Sequence, residues 1–193
     1  VVGLDITPTV NDGGLPGEYT FAQYHFHWGA DSSKGSEHTI NGVQFPLEMH
    51  IVNFKTEYGS LGGSVDKGDG LAVLGVMWEI QPSDNPNIQP IIDALASATA
   101  GGPAIEVKDK NPLMDMLPKT DVFFRYLGSL TTPTCNEAVV WTLFQATNGI
   151  SEKQMAAFRS LKFPSGSALV DNFRPPQPLN GREIQVRSTG GGG

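Results

Sequence analysis

The chain has 193 residues, 13 basic against 20 acidic side chains, a net charge of −7, 39% hydrophobic residues and one cysteine. A chain this long buries about two-thirds of its unfolded surface in one core, so it needs no disulfide scaffold, and its composition is not that of a disordered segment. It has no Lys/Arg cluster to bind nucleic acid, and apolar runs such as Leu71–Trp78 fall far short of the ~20 residues that span a bilayer.

Taken in chain order, short strands alternate with Gly, Pro, Asn and Asp punctuation. Tyr19–Trp28, Gln44–Asn53 and Leu71–Ile80 are expected strands, rich in residues that suit a pleated, half-buried surface. Asn87–Ala98 is expected to be a helix, because Ile88, Ile91, Ile92 and Leu95 recur at helical spacing. Val122–Tyr126 and Ala138–Phe144 read as strands. Ser151–Leu161 reads as a second helix, opened by a capping box from Ser151 to Gln154. Lys162–Pro178 is expected to be an ordered loop, since Phe163, Leu169, Val170 and Phe173 need somewhere to pack. A last strand is expected over Glu183–Val186, and Gly190–Gly193 reads as a flexible tail. The expected architecture is mainly β with peripheral helices.

Three of the four histidines fall in two of these strands. His25 and His27 are two apart, so both imidazoles leave one face of the strand while Tyr24, Phe26 and Trp28 leave the other. Glu48, His50 and Val52 share a face in the next strand. If the two strands pair, three imidazoles converge, and three His with an open position is one design of a catalytic zinc site. Gln23 and Glu48, each two residues before a histidine, are placed to accept imidazole N–H bonds. Histidines satisfied within a core fit the same spacing, and spacing alone goes no further. Gly62-Gly63 and Gly101-Gly102 lack phosphate-loop spacing, and Ser129 lacks the second glycine of a nucleophile elbow. The lone Cys135 reads first as a small buried hydrophobe.

Gln23-Tyr24-His25-Phe26-His27-Trp28-Gly29, Gly35-Ser36-Glu37-His38-Thr39 and Glu48-Met49-His50-Ile51-Val52 resemble the alpha-class carbonic anhydrases. So do Tyr126-Leu127-Gly128-Ser129-Leu130-Thr131-Thr132-Pro133, Val139-Val140-Trp141 and Asp171-Asn172-Phe173-Arg174-Pro175-Pro176-Gln177-Pro178. The blocks keep the family's order and spacing. The resemblance implies a large, mostly antiparallel twisted central sheet with a cleft running to Zn2+, a domain over residues 1–188 and a Gly-rich tail over 189–193. It implies that His25, His27 and His50 hold the zinc, with Gln23, the Asn172 carbonyl and Glu48 as their respective partners. The Thr131 hydroxyl would donate a hydrogen bond to Glu37 and accept one from the zinc-bound hydroxide, Thr132 would sit at the rim, and His38 would have a structural role beside Glu37. Val52, Val73, Leu130, Val139 and Trp141 would form the apolar wall that receives carbon dioxide, with bicarbonate and a proton as products.

Measured against that family, the segment preceding Val1 is expected to be missing, with sheet strands and a proton-carrying histidine in it. A dimer or strand exchange would cover the surface so exposed. Cys135 resembles the cysteine that extracellular members pair with an N-terminal one, which implies a disulfide half and a secreted protein, the cytoplasm being the alternative. Thr134 stands where many members have a second proline, so a trans Pro133–Thr134 peptide is expected. The alternative function is a silent binding module or a mineral-matrix role.

Overall fold

The structure, a computed structural model, describes residues 2, 7–98, 102–103, 105, 107 and 113–188. Its strands are β1 (Thr9–Val10), β2 (Tyr19–Trp28), β3 (Leu47–Lys55), β4 (Leu71–Ile80), β5 (Val122–Gly128), β6 (Val139–Phe144), β7 (Asn148–Ile150) and β8 (Gln185–Ser188), of which the central β4 and β6 are near-continuous apolar runs buried on both faces. They make one eight-stranded sheet in the order β1-β2-β3-β4-β6-β5-β8, with β7 also on β4. Five of the pairings are antiparallel. The other two, β4–β6 and β4–β7, are parallel. Among the described residues three short α-helices accompany it, α1 (Leu61–Ser64), α2 (Gln89–Leu95) and α3 (Glu152–Arg159).

The sheet has two differently used faces. On one, Tyr24, Phe26, Trp28, Met49 and Trp78 pack with Ile91 of α2 and Phe158 of α3 into the larger core. Each such fully buried side chain contributes about 1.5–3 kcal/mol over its exposed state. The other face carries the histidines. A β-bulge between Phe21 and Gln23 makes this division work. Phe21 pairs with Asn53 and Gln23 with Val52, so the bulge switches the parity of β2. The apolar Phe21 can then share the core face with Tyr24, Phe26 and Trp28, while Gln23, His25 and His27 share the opposite one.

Several boundaries differ from the sequence expectation. The second strand starts at Leu47, not Gln44, because Pro46 has no N–H for the ladder, and it continues to Lys55, which pairs with Tyr19. α2 is shorter than Asn87–Ala98. Pro90 sits in its first turn, and the Ala96 N–H turns back to the Ala94 carbonyl at its end. The capping box expected at Ser151–Gln154 is present, with Ser151 as the N-cap, and α3 ends at Arg159, short of the expected Leu161. The last strand is Gln185–Ser188, two positions on from expectation, in register with Val122–Arg125. β1 and β7 are too short to show a period. In the loop after α3, Leu169 and Val170 pack on the core, but Phe163 stays 46% exposed. The Pro133–Thr134 peptide is cis, against expectation. It joins the two central residues of a turn closed by the Cys135 N–H donating to the Thr132 carbonyl. The expected Gly190–Gly193 tail lies outside the described residues.

Candidate metal centre

β2 and β3 pair so that His25 lies directly across from His50, and His27 across from Glu48. The three rings meet edge to face or tilted, with centroids 5.0, 5.3 and 4.6 Å apart. One nitrogen from each lies within 4.8 Å of the others. The remaining nitrogens are held from behind. His25 Nδ1 donates to Gln23 Oε1 at 2.9 Å, His27 Nδ1 to the Asn172 carbonyl at 2.9 Å, and His50 Nε2 to Glu48 Oε1 at 2.6 Å. A carbonyl or carboxylate oxygen can only accept, so these bonds fix each tautomer and leave a lone pair on the nitrogen that faces the cluster.

The chemistry of that donor set fits a cation. His27 Nε2 and His50 Nδ1 face one another at 3.2 Å, and with the tautomers fixed, both present lone pairs. Glu37 Oε2 is buried with no hydrogen-bond partner and lies 3.4 Å from His27 Nε2 and 3.8 Å from His50 Nδ1. Burial holds the His25 imidazolium form down to a pKa of about 2, reinforced by His50 and His27. Burial, then His50, lowers His27 as well. His25 and His27 therefore stay neutral at working pH, the state in which imidazole binds a metal.

Glu48 organises the far side. Its carboxylate accepts from the Glu37 and His38 backbone N–H groups at 2.8 and 2.9 Å and lies 2.6 Å from His38 Nδ1. Burial pushes this carboxyl up, but His38 and His50 together hold it well below the usual range. The Tyr126 hydroxyl lies 2.5 Å from His38 Nε2, so a chain of contacts runs His50–Glu48–His38–Tyr126. The family resemblance implies a structural place for His38 beside Glu37. Nothing in the sequence ties Tyr126 to Glu48.

The other residues expected at the site fall around this cluster. Val52, Val73, Val139 and Trp141 form one buried apolar group with Leu130 at its margin. Val52, Val73, Trp141 and Tyr126 are consecutive partners across four strands, in the row that begins at Gln23. The two threonines part company. Thr131 lines a cavity of about 420 Å3 with Glu37, Tyr126 and Arg174. Thr132 lines a larger groove with His25 and His27. Glu37 Oε1 accepts from the Arg174 N–H at 2.7 Å, and among the described residues the Thr131 hydroxyl makes no hydrogen bond to Glu37. Cys135 is a free, half-buried thiol.

A family model described as eukaryotic-type carbonic anhydrase matches residues 2–188. The chain is 40% identical over 187 residues to Carbonic anhydrase 7 of Homo sapiens and, over the same length, to Carbonic anhydrase 7 of Mus musculus. Each alignment covers 94% of this chain and 70% of the relative.

Proposed function

The chain belongs to the eukaryotic-type carbonic anhydrase family, and on that footing we propose that it hydrates carbon dioxide reversibly with a zinc ion held by His25, His27 and His50. The observation that carries this reading is the donor set itself: three imidazoles, each held from behind through one nitrogen, with the other nitrogens within 4.8 Å of one another. A zinc ion held there would supply the Lewis acidity that makes water a nucleophile near neutral pH. Carbonic anhydrase is a standard example of that principle.

In this reading the protein's own groups bind, orient and exclude. Val52, Val73, Leu130, Val139 and Trp141 offer a neutral, non-polar substrate an apolar wall and give a charged product no reason to stay. Glu37 accepts a hydrogen bond from the Thr131 hydroxyl once that hydroxyl turns toward it. The Thr131 oxygen is then left to accept, which selects a reacting species that still carries a proton. Thr132 stands at the mouth. A secreted protein with Cys135 as a disulfide half, and a dimer, belong to the same proposal. Thiol labelling and sedimentation of the intact protein test them.

The direct test measures bound zinc and the rate of bicarbonate formation on the same preparation, before and after chelation. Stoichiometric zinc with hydration that is lost and restored with the metal supports the reading. Stoichiometric zinc without hydration would sink the catalytic half of it.

A further inference from the structure

The cavity of about 420 Å3 that Glu37, His38 and Thr131 share lies outside the histidine cluster, for none of His25, His27 and His50 lines it. Its lining residues and their neighbours in sequence all lie among the described ones. Its volume falls within the ~300–1,000 Å3 of small-molecule sites. One wall is made of flat rings. Phe124 and Tyr126 are two apart on β5, so both leave the same face of the strand. The buried Leu143 of β6, then Leu179 and Ile184, 49% and 46% exposed, carry that apolar surface from the interior to the mouth.

Two arginines line the same space and keep donors free. Arg182 Nε and Nη2 donate at 2.9 Å to the Leu179 and Pro178 carbonyls, respectively. These bonds hold the guanidinium over the Tyr126 ring, 5.6 Å from its centre, and leave Nη1 without a partner among the described residues. Arg174 donates only its backbone N–H, to Glu37 Oε1, so its guanidinium has no acceptor among the described residues. The one carboxylate in the lining, Glu37, turns its other oxygen toward His27 and His50. Glu183, between two lining residues, is exposed and does not join the lining. A net positive charge thus stands beside a ringed apolar wall. We propose that this cavity binds an aryl monocarboxylate, its rings against Phe124 and Tyr126 and its carboxylate on the guanidinium groups of Arg174 and Arg182. The site is separate from the metal centre, so it does not depend on the metal reading above.

The test is calorimetric titration with 2-naphthoate, 2-naphthol, octanoate and acetate. 2-Naphthoate should bind at least about tenfold more tightly than 2-naphthol, which keeps the rings and lacks the charge. Octanoate and acetate, with the charge and no rings, should bind more weakly than 2-naphthoate. Arg174→Gln should lower 2-naphthoate affinity about tenfold and leave 2-naphthol unchanged. Ile184→Asp, at the half-exposed mouth and clear of the core, should weaken both. The affinity for 2-naphthoate should be the same in zinc-loaded protein, after chelation, and with saturating azide on the metal. Equal affinity for 2-naphthoate and either 2-naphthol or octanoate overturns the proposal, and so does indifference to either substitution. Binding that is lost on chelation or displaced by azide overturns it too, by placing the ligand at the metal centre.

Discussion

Each imidazole of the cluster is gripped by a different kind of acceptor: an amide oxygen from Gln23, a backbone carbonyl from Asn172 and a carboxylate from Glu48. Three protein donors leave no spare, so His25→Ala, His27→Ala and His50→Ala should each abolish stoichiometric zinc by metal analysis. His38→Ala should retain it, because His38 reaches the cluster only through Glu48. Zinc retained without His50 would refute the ligand set. Thr131→Ala should keep the metal and slow hydration by about a hundredfold, the usual cost of losing an orienting hydrogen bond. Unchanged hydration would remove Thr131 from the mechanism. The His-x-His spacing and the polar residues two positions before His25 and His50 were legible in the sequence. Asn172 entered only through the resemblance, because a backbone carbonyl leaves no residue signature. The His38–Tyr126 contact left none either, since a strand tyrosine reads as core whichever partner its hydroxyl finds.

Elements carry the site as much as residues do. The bulge in β2 had a trace in the sequence, an aromatic spacing that changes parity across Ala22-Gln23, but strand periodicity read piecewise does not register it. Gly75 of β4 lies directly across from His50, and a Cβ there would meet Leu143 Cδ1 at 2.7 Å and Glu48 Oε1 at 3.5 Å. Gly75→Ala should be tolerated, since the flexible end of Leu143 can move. Gly75→Val should cost about 1–3 kcal/mol in denaturant unfolding, as overpacking does, and weaken zinc binding by displacing Glu48. Zinc affinity equal to that of the parent in the valine variant would show that Glu48 does not depend on that gap. At α3, the Ser151 hydroxyl accepts from the Gln154 N–H and donates to Asp84 Oδ1 at 2.5 Å. Ser151→Ala should cost about 1 kcal/mol. The Ser151 hydroxyl, then Lys153, holds the Asp84 carboxyl below its ordinary pKa. Its stabilising effect is therefore complete above the unfolded value near ~3.9 and lost as pH falls through the lower folded value. The stability gap between the parent and Asp84→Asn should close over that acid range; a gap constant down to the lowest pH would mean the carboxylate charge contributes nothing.

At the scale of the whole molecule, four histidines serve 193 residues, and all four have ring nitrogens engaged at or beside the cluster. No imidazole among the described residues is left to carry protons to solvent, and imidazole is the side chain suited to that transfer near neutrality. The maximal hydration rate should therefore rise with imidazole-type buffer at fixed ionic strength, with less effect at low carbon dioxide; a fast rate indifferent to buffer would reveal another carrier. The strand-dominated architecture was legible from composition and punctuation, but the parallel β4–β6 pairing was not, because residue patterns do not record which distant strand lies alongside. That pairing also sets an order of events. His27 and His50 are 23 positions apart, whereas Asn172 reaches His27 from 145 positions away. Short loops close at lower entropic cost than long ones, so the imidazole cluster assembles from a single antiparallel pairing before the crossover brings Val139 beside Leu71. Zinc present during refolding is then expected to bind the half-built sheet and speed its completion. In pulse-labelled hydrogen exchange it should advance the protection of β2 and β3 ahead of β6, whereas simultaneous protection would mean that the ion waits for the finished fold.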